Sequence, residues 1–270
     1  MRRAVAGILA LALLSLAFSI WNARRTLVCL GDSNTAAEPS WCDMLQVLLP
    51  SAKWRIVNRG QRLALTSYPG DLPRNGRSQL LASLAADTPD VVVMAFGTND
   101  LMLGSLVTTE LKLQIGPEQV EPIVRNYLGL RSIARSAGVR SFVASTPPLA
   151  TQNKPEYVPV NALVVRLNGR LREAIPPEDL IDFDSPMNPL SDYKDAVHFN
   201  VEGQAKRAVA ACGVLAAAYG DATDCTARLP ALLDTLRRGE LTLAVRASRK
   251  RQPWWKLRWR RKTQAPQPAE

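Results

Sequence analysis

The stretch Asp90-Val91-Val92-Val93-Met94-Ala95-Phe96 limits the fold of this chain more than any other. An aspartate opens it, Gly97 closes it, and the residues between are apolar without a break. A strand with one wet face alternates apolar and polar residues, so an unbroken run marks a strand covered on both faces. Such strands belong to parallel sheets sandwiched between helices.

The rest of the chain repeats that logic. Shorter β-rich runs predict strands over Thr26–Leu30, Arg55–Asn58, Ser141–Ser145 and Leu180–Phe183. Helical spacing of apolar residues predicts helices over Trp41–Leu49, Gln79–Ala86, Pro117–Ala137, Val160–Ala174 and Glu202–Tyr219. Strands alternating with helices give an α/β fold with a five-stranded parallel sheet. The expected organisation is an N-terminal segment over 1–25, an α/β domain over 26–220, a helical extension over 221–246 and a tail over 247–270.

Ligands of an open α/β sheet sit at the C-terminal ends of its strands. Three polar clusters fall at such ends: Gly31-Asp32-Ser33-Asn34, Asn58-Arg59-Gly60 and Gly97-Thr98-Asn99-Asp100. A fourth, Asp195-Ala196-Val197-His198, precedes the last domain helix. A serine hydroxyl needs an adjacent base to become a nucleophile at neutral pH. His198, the only histidine, has the ordinary pKa suited to that work. Asp195, three residues earlier, can orient the imidazole and stabilise its charged form. These residues point to nucleophilic hydrolysis by Ser33.

In their order and wording, the four blocks resemble the SGNH (GDSL-type) hydrolase family. Within it, Gly31-Asp32-Ser33-Asn34, Trp41, Asn75-Gly76 and Ser145-Thr146-Pro147-Pro148-Leu149 are most similar to the arylesterase or acetylesterase branch. After Gly60 the chain departs from that branch, carrying Gln61-Arg62-Leu63-Ala64-Leu65-Thr66 in place of a Gly-Arg-Thr-Thr-like stretch. The resemblance implies a three-layer α/β/α sandwich of flavodoxin-like type. It implies catalytic Ser33, Asp195 and His198, and an oxyanion hole from the Ser33 N–H, the Gly60 N–H and the Asn99 side chain. Asp32, Asn34, Arg59 and Asp100 are candidates for substrate contact. Arg59 and Arg62 either meet an anionic substrate or are two solvated arginines. The implied activity is ester hydrolysis on small acyl groups through an acyl-enzyme. Acyl transfer, thioester or lysophospholipid cleavage would use the same residues, and a binding module on the same scaffold is the non-enzymatic alternative. No metal-ligand spacing or phosphate-binding glycine loop occurs, so neither metal nor cofactor is expected.

Charge and the termini bear on location. The net charge is +10, and nine basic residues with no acidic one lie between Arg246 and Lys262. The domain is therefore close to neutral, which argues against nucleic acid as its partner. Three tryptophans among the tail cations suit an anionic membrane surface, with nucleic-acid binding as the competing use. At the other end, Arg2 and Arg3 precede 17 uncharged residues, Ala4 to Ile20, the pattern of a cleaved signal peptide or an uncleaved anchor. The expected location is exported or membrane-anchored, in a bacterial periplasm or cell envelope. Cys29, Cys42, Cys212 and Cys225 are either disulfide partners or buried thiols.

Overall fold

The computed structural model describes residues 24–66, 74–103, 118, 120–152 and 154–241. The expectations for the N-terminal apolar run and the basic tail fall almost entirely outside these residues. Among the described residues, no helix is long and apolar enough to cross a membrane.

Five strands, β1 (Arg25–Gly31), β2 (Trp54–Asn58), β3 (Val91–Ala95), β4 (Arg140–Ala144) and β5 (Leu180–Ile181), form one sheet in the order β2-β1-β3-β4-β5. Every pairing is parallel. This is the doubly wound order in which β1 and β3 meet at the switch point. All five residues of β3 are buried, as the apolar run requires.

Side chains alternate across the sheet and so feed two cores. Leu27, Cys29, Val91, Val93, Phe142 and Ala144 pack against helices α2 (Trp41–Leu48), α6 (Val201–Ala218) and α7 (Leu229–Arg237). Val28, Leu30, Val92, Met94 and Val143 pack against α3 (Gly76–Ala86), α4 (Glu121–Ser136) and α5 (Val158–Ala174). The result is the three-layer α/β/α sandwich. Both cysteine pairs are bonded on the first face. Cys29–Cys42 ties β1 to α2, and Cys212–Cys225 ties α6 to the segment before α7. Leu232 of α7 and Leu241 beyond it are buried in that same core.

Boundary differences have local causes. Helix α4 starts at Glu121, later than Pro117, because Pro122 is tolerated only in a first turn. Helix α3 starts earlier, at Gly76, because the Asn75 side chain caps it by accepting the Ser78 N–H at 2.7 Å. Strand β5 stops at Ile181 because Asp182 turns the chain, accepting the N–H groups of Asp184 and Ser185.

Candidate active site

The Gly-Asp-Ser block is a strand-to-helix corner in which each residue has a physical task. Helix α1 (Ser33–Ala36) folds back on β1 so tightly that a Cβ on Gly31 would lie 2.2 Å from Thr35 Oγ1. Asp32 is the N-cap, its carboxylate accepting the Asn34 N–H at 2.9 Å. Ser33 is thereby the first helical residue, with its hydroxyl free to face outward. The Gln79 side chain closes the corner by accepting from the Gly31 N–H and donating to the Gly31 carbonyl, both at 3.0 Å.

His198 arrives on the loop before α6. There the Lys194 N–H donates to the His198 carbonyl at 2.9 Å and the Asn200 N–H to the Asp192 carbonyl at 3.0 Å. Asn200 caps α6 through the Gly203 N–H. This places His198 Nε2 3.1 Å from Ser33 Oγ. On its other side, His198 Nδ1 lies 2.9 Å from Asp195 Oδ2. Asp195 Oδ1 also accepts the backbone N–H groups of Val197 and His198 at 2.9 and 2.7 Å. Partial burial alone would raise the Asp195 carboxyl, but these hydrogen bonds and His198 outweigh it and hold it below the usual value. The structure thus joins Ser33, His198 and Asp195 in one hydrogen-bonded line across 165 residues of sequence.

Gly60 and Asn99 both line the cleft into which Ser33 opens, a space of about 1640 Å³. A Cβ on Gly60 would lie 2.5 Å from the Ala36 nitrogen, so only glycine allows this approach to α1. The Gly60 N–H donates to Asn58 Oδ1 at 2.9 Å, and Asn99 Nδ2 donates to the Ala64 carbonyl at 3.0 Å. Asn99 Nδ2 has a second hydrogen for a ligand, whereas the Gly60 N–H must share or exchange its partner to serve one.

The four candidates for substrate contact have other work. Asp32 is 3% exposed; burial pushes its carboxyl up further than Arg207 and the Asn34 and Thr35 N–H groups pull it down. Asn34, also 3% exposed, donates to the Val197 carbonyl at 3.1 Å and accepts the Phe199 N–H at 3.2 Å. Its amide therefore grips the chain on both sides of His198. Arg59 is forked onto Asp87, at 2.8 and 2.5 Å. Asp100 accepts from the Thr66 hydroxyl at 2.6 Å and the Thr66 N–H at 3.0 Å; burial pushes its carboxyl up to about 6 against those bonds. None of the four lines the cleft.

Sequence reading passed over several residues that set this geometry. Gln204 accepts the Trp41 N–H and donates to the Asn34 carbonyl, both at 3.0 Å. Arg207 is buried, stacked over Phe183 at 4.5 Å and over Phe199 at 4.9 Å, beside His198. The nearby Glu202 and Lys206 are exposed or half-exposed, and a glutamine and an arginine among them give no signal of burial. Among the described residues, no cluster of histidine, cysteine and carboxylates could hold a metal.

Residues 29–206 match the GDSL-like lipase/acylhydrolase family. The chain belongs to that family. Family membership makes it a hydrolase of the esterase and acylhydrolase type. No curated protein matches the sequence significantly. Solved structures with the same fold include Est24, a carbohydrate acetylesterase from Sinorhizobium meliloti, with a TM-score of 0.58 and 20% identity over 72% of this chain and 99% of that one. A carbohydrate acetylesterase family member from the same organism has a TM-score of 0.54 and 21% identity, over 73% and 99%. A candidate arylesterase from Agrobacterium tumefaciens has a TM-score of 0.55 and 21% identity, over 71% and 98%. In this GDSL-like chain, the matched span holds Ser33, Gly60, Asn99, Asp195 and His198.

Proposed function

We propose that the protein is a serine esterase that cleaves small acyl esters through an acyl-enzyme. The hydrogen-bonded line from Ser33 through His198 to Asp195, opening on the cleft, carries this reading. Ser33 Oγ attacks the ester carbonyl while His198 Nε2 takes its proton, and Asp195 stabilises the resulting imidazolium from Nδ1. The carbonyl oxygen becomes an anion that the Ser33 N–H, the Gly60 N–H and Asn99 Nδ2 receive. His198 returns the proton to the departing alcohol oxygen. Water, deprotonated by His198, then releases the acid and restores Ser33.

The same proposal places the enzyme outside the cytosol, exported or membrane-anchored. The 17-residue apolar run behind Arg2 and Arg3 supports this, and so do two disulfides, which persist in oxidising compartments. The tryptophan-containing basic tail is then available to an anionic membrane surface.

The test is hydrolysis of a nitrophenyl ester series from acetate to palmitate by wild type and by folded Ser33→Ala. The expected result is activity on the short esters that Ser33→Ala abolishes. Equal activity in the variant would overturn the mechanism. A maximum at long chains would overturn the assignment to small acyl groups.

A further inference from the structure

We infer that the cleft around Ser33 selects esters that carry an anionic group such as a carboxylate, an inference that rests on the esterase reading above. Three cations line the cleft: Arg62 from the turn after β2, Arg74 just before the cap of α3, and Lys194 from the His198 loop. Among the described residues, none of the three has an ion pair or a side-chain hydrogen bond. Arg59, three residues from Arg62, shows the contrasting fate, since Asp87 neutralises it away from the cleft. The cleft wall also carries the carboxylates of Glu38 and Asp195, the latter bonded to His198, so the three cations outnumber its acidic groups.

The backbone under each cation is fixed while the side chain stays exposed. The Lys194 N–H is bonded to the His198 carbonyl at 2.9 Å, the Arg74 carbonyl accepts the Leu65 N–H at 3.4 Å, and Arg62 lies in a turn closed by Ala64 N–H to Gln61 at 3.2 Å. Unpaired cations of one sign in a concave site focus the field on an incoming anion. Guanidinium groups add the forked geometry that a carboxylate accepts. Each exposed pairing of this kind is worth about 1.4- to 5-fold, so three together give about tenfold in kcat/KM for a singly charged ester.

The test measures kcat/KM of the full chain for two matched pairs of esters. Para-acetoxybenzoate against its methyl ester puts the charge on the alcohol side, and para-nitrophenyl monoadipate against para-nitrophenyl hexanoate puts it on the acyl side. The expected result is a preference for the anion in at least one pair. The ratio of anionic to neutral rates should fall about tenfold in the triple variant Arg62→Gln, Arg74→Gln, Lys194→Gln. It should also shrink as salt rises from about 0.02 M to about 0.5 M. An unchanged ratio in the triple variant, with Ser33-dependent hydrolysis intact, would overturn the inference and leave the esterase reading standing. If no ester is turned over, the esterase reading fails. Calorimetric binding of para-acetoxybenzoate and its methyl ester to Ser33→Ala then decides the cleft's preference, and equal affinities would overturn it.

Discussion

Ser33 is held between two regions built in opposite ways. On the sheet side, Asp32, Asn34 and Gln79 are at most 3% exposed, and each is bonded to backbone. On the loop side, the Asp195 and His198 side chains keep 50% and 38% of their exposure. Two aspartates near one serine therefore shift in opposite directions: burial raises Asp32, whereas at Asp195 burial is the largest single effect but the hydrogen bonds and the His198 charge together outweigh it. A carboxylate that stabilises an imidazolium must be charged and must face Nδ1. Asp195 meets both conditions. Asp32 instead caps the helix that begins at Ser33. The contrast shows that depth and hydrogen-bond partner, more than residue type or distance along the chain, set which way each carboxyl shifts.

The sharpest way to break this contrast is Asp195→Asn, which keeps the shape and removes the charge. The expected loss in kcat is about 10³- to 10⁴-fold, with a denaturation midpoint close to wild type because the side chain is half exposed. A comparable loss in stably folded Asp32→Asn would erase the distinction. Next in size is Asn99→Ala, which removes a sheet-side amide that faces the cleft with a hydrogen to spare. Its kcat should fall about 10²- to 10³-fold, measured on the same short ester.

Asp100 tests the buried side through pH. Its folded value is about 6, against an ordinary 3.8. A carboxyl raised on folding costs stability once it ionises, so wild-type stability should decline as pH climbs from about 4 to about 6. Asp100→Asn should show a shallower decline, keeping only what other raised carboxyls such as Asp32 contribute, a difference of at most about 3 kcal/mol in urea unfolding. Parallel pH profiles would remove Asp100 from this account. The smallest effect belongs to Asp32→Ala, which loses the cap of α1. It should cost about 1–2 kcal/mol in the same assay, with a smaller drop in kcat than Asp195→Asn gives.

The same division explains what the sequence disclosed. Strand β3 was legible because a parallel strand buried on both faces leaves an unbroken apolar run, and the other four were legible as shorter β-rich runs between helical stretches. The blocks around Ser33, Gly60, Asn99 and His198 were legible because motifs at strand ends converge on one rim of an open sheet. The structure does bring them to one rim. The roles of Asn34, Arg59 and Asp100 were not legible. Their partners Val197, Asp87 and Thr66 lie 163, 28 and 34 residues away, and no spacing rule couples them. A polar residue next to a reactive one looks the same in sequence whether it faces substrate or braces the scaffold. Helix starts at Gly76 and Glu121 were missed for a simpler reason, since a cap or a first-turn proline outranks apolar spacing at a helix end.

Every step of the proposed reaction depends on Ser33 being a nucleophile activated by His198. Fluorophosphonate labelling followed by peptide mass mapping tests it without a choice of ester. Wild type should carry the adduct on Ser33, and folded His198→Ala should label at a rate lower by several orders of magnitude. Labelling of another residue, or equal labelling of Ser33 in the two proteins, would contradict it.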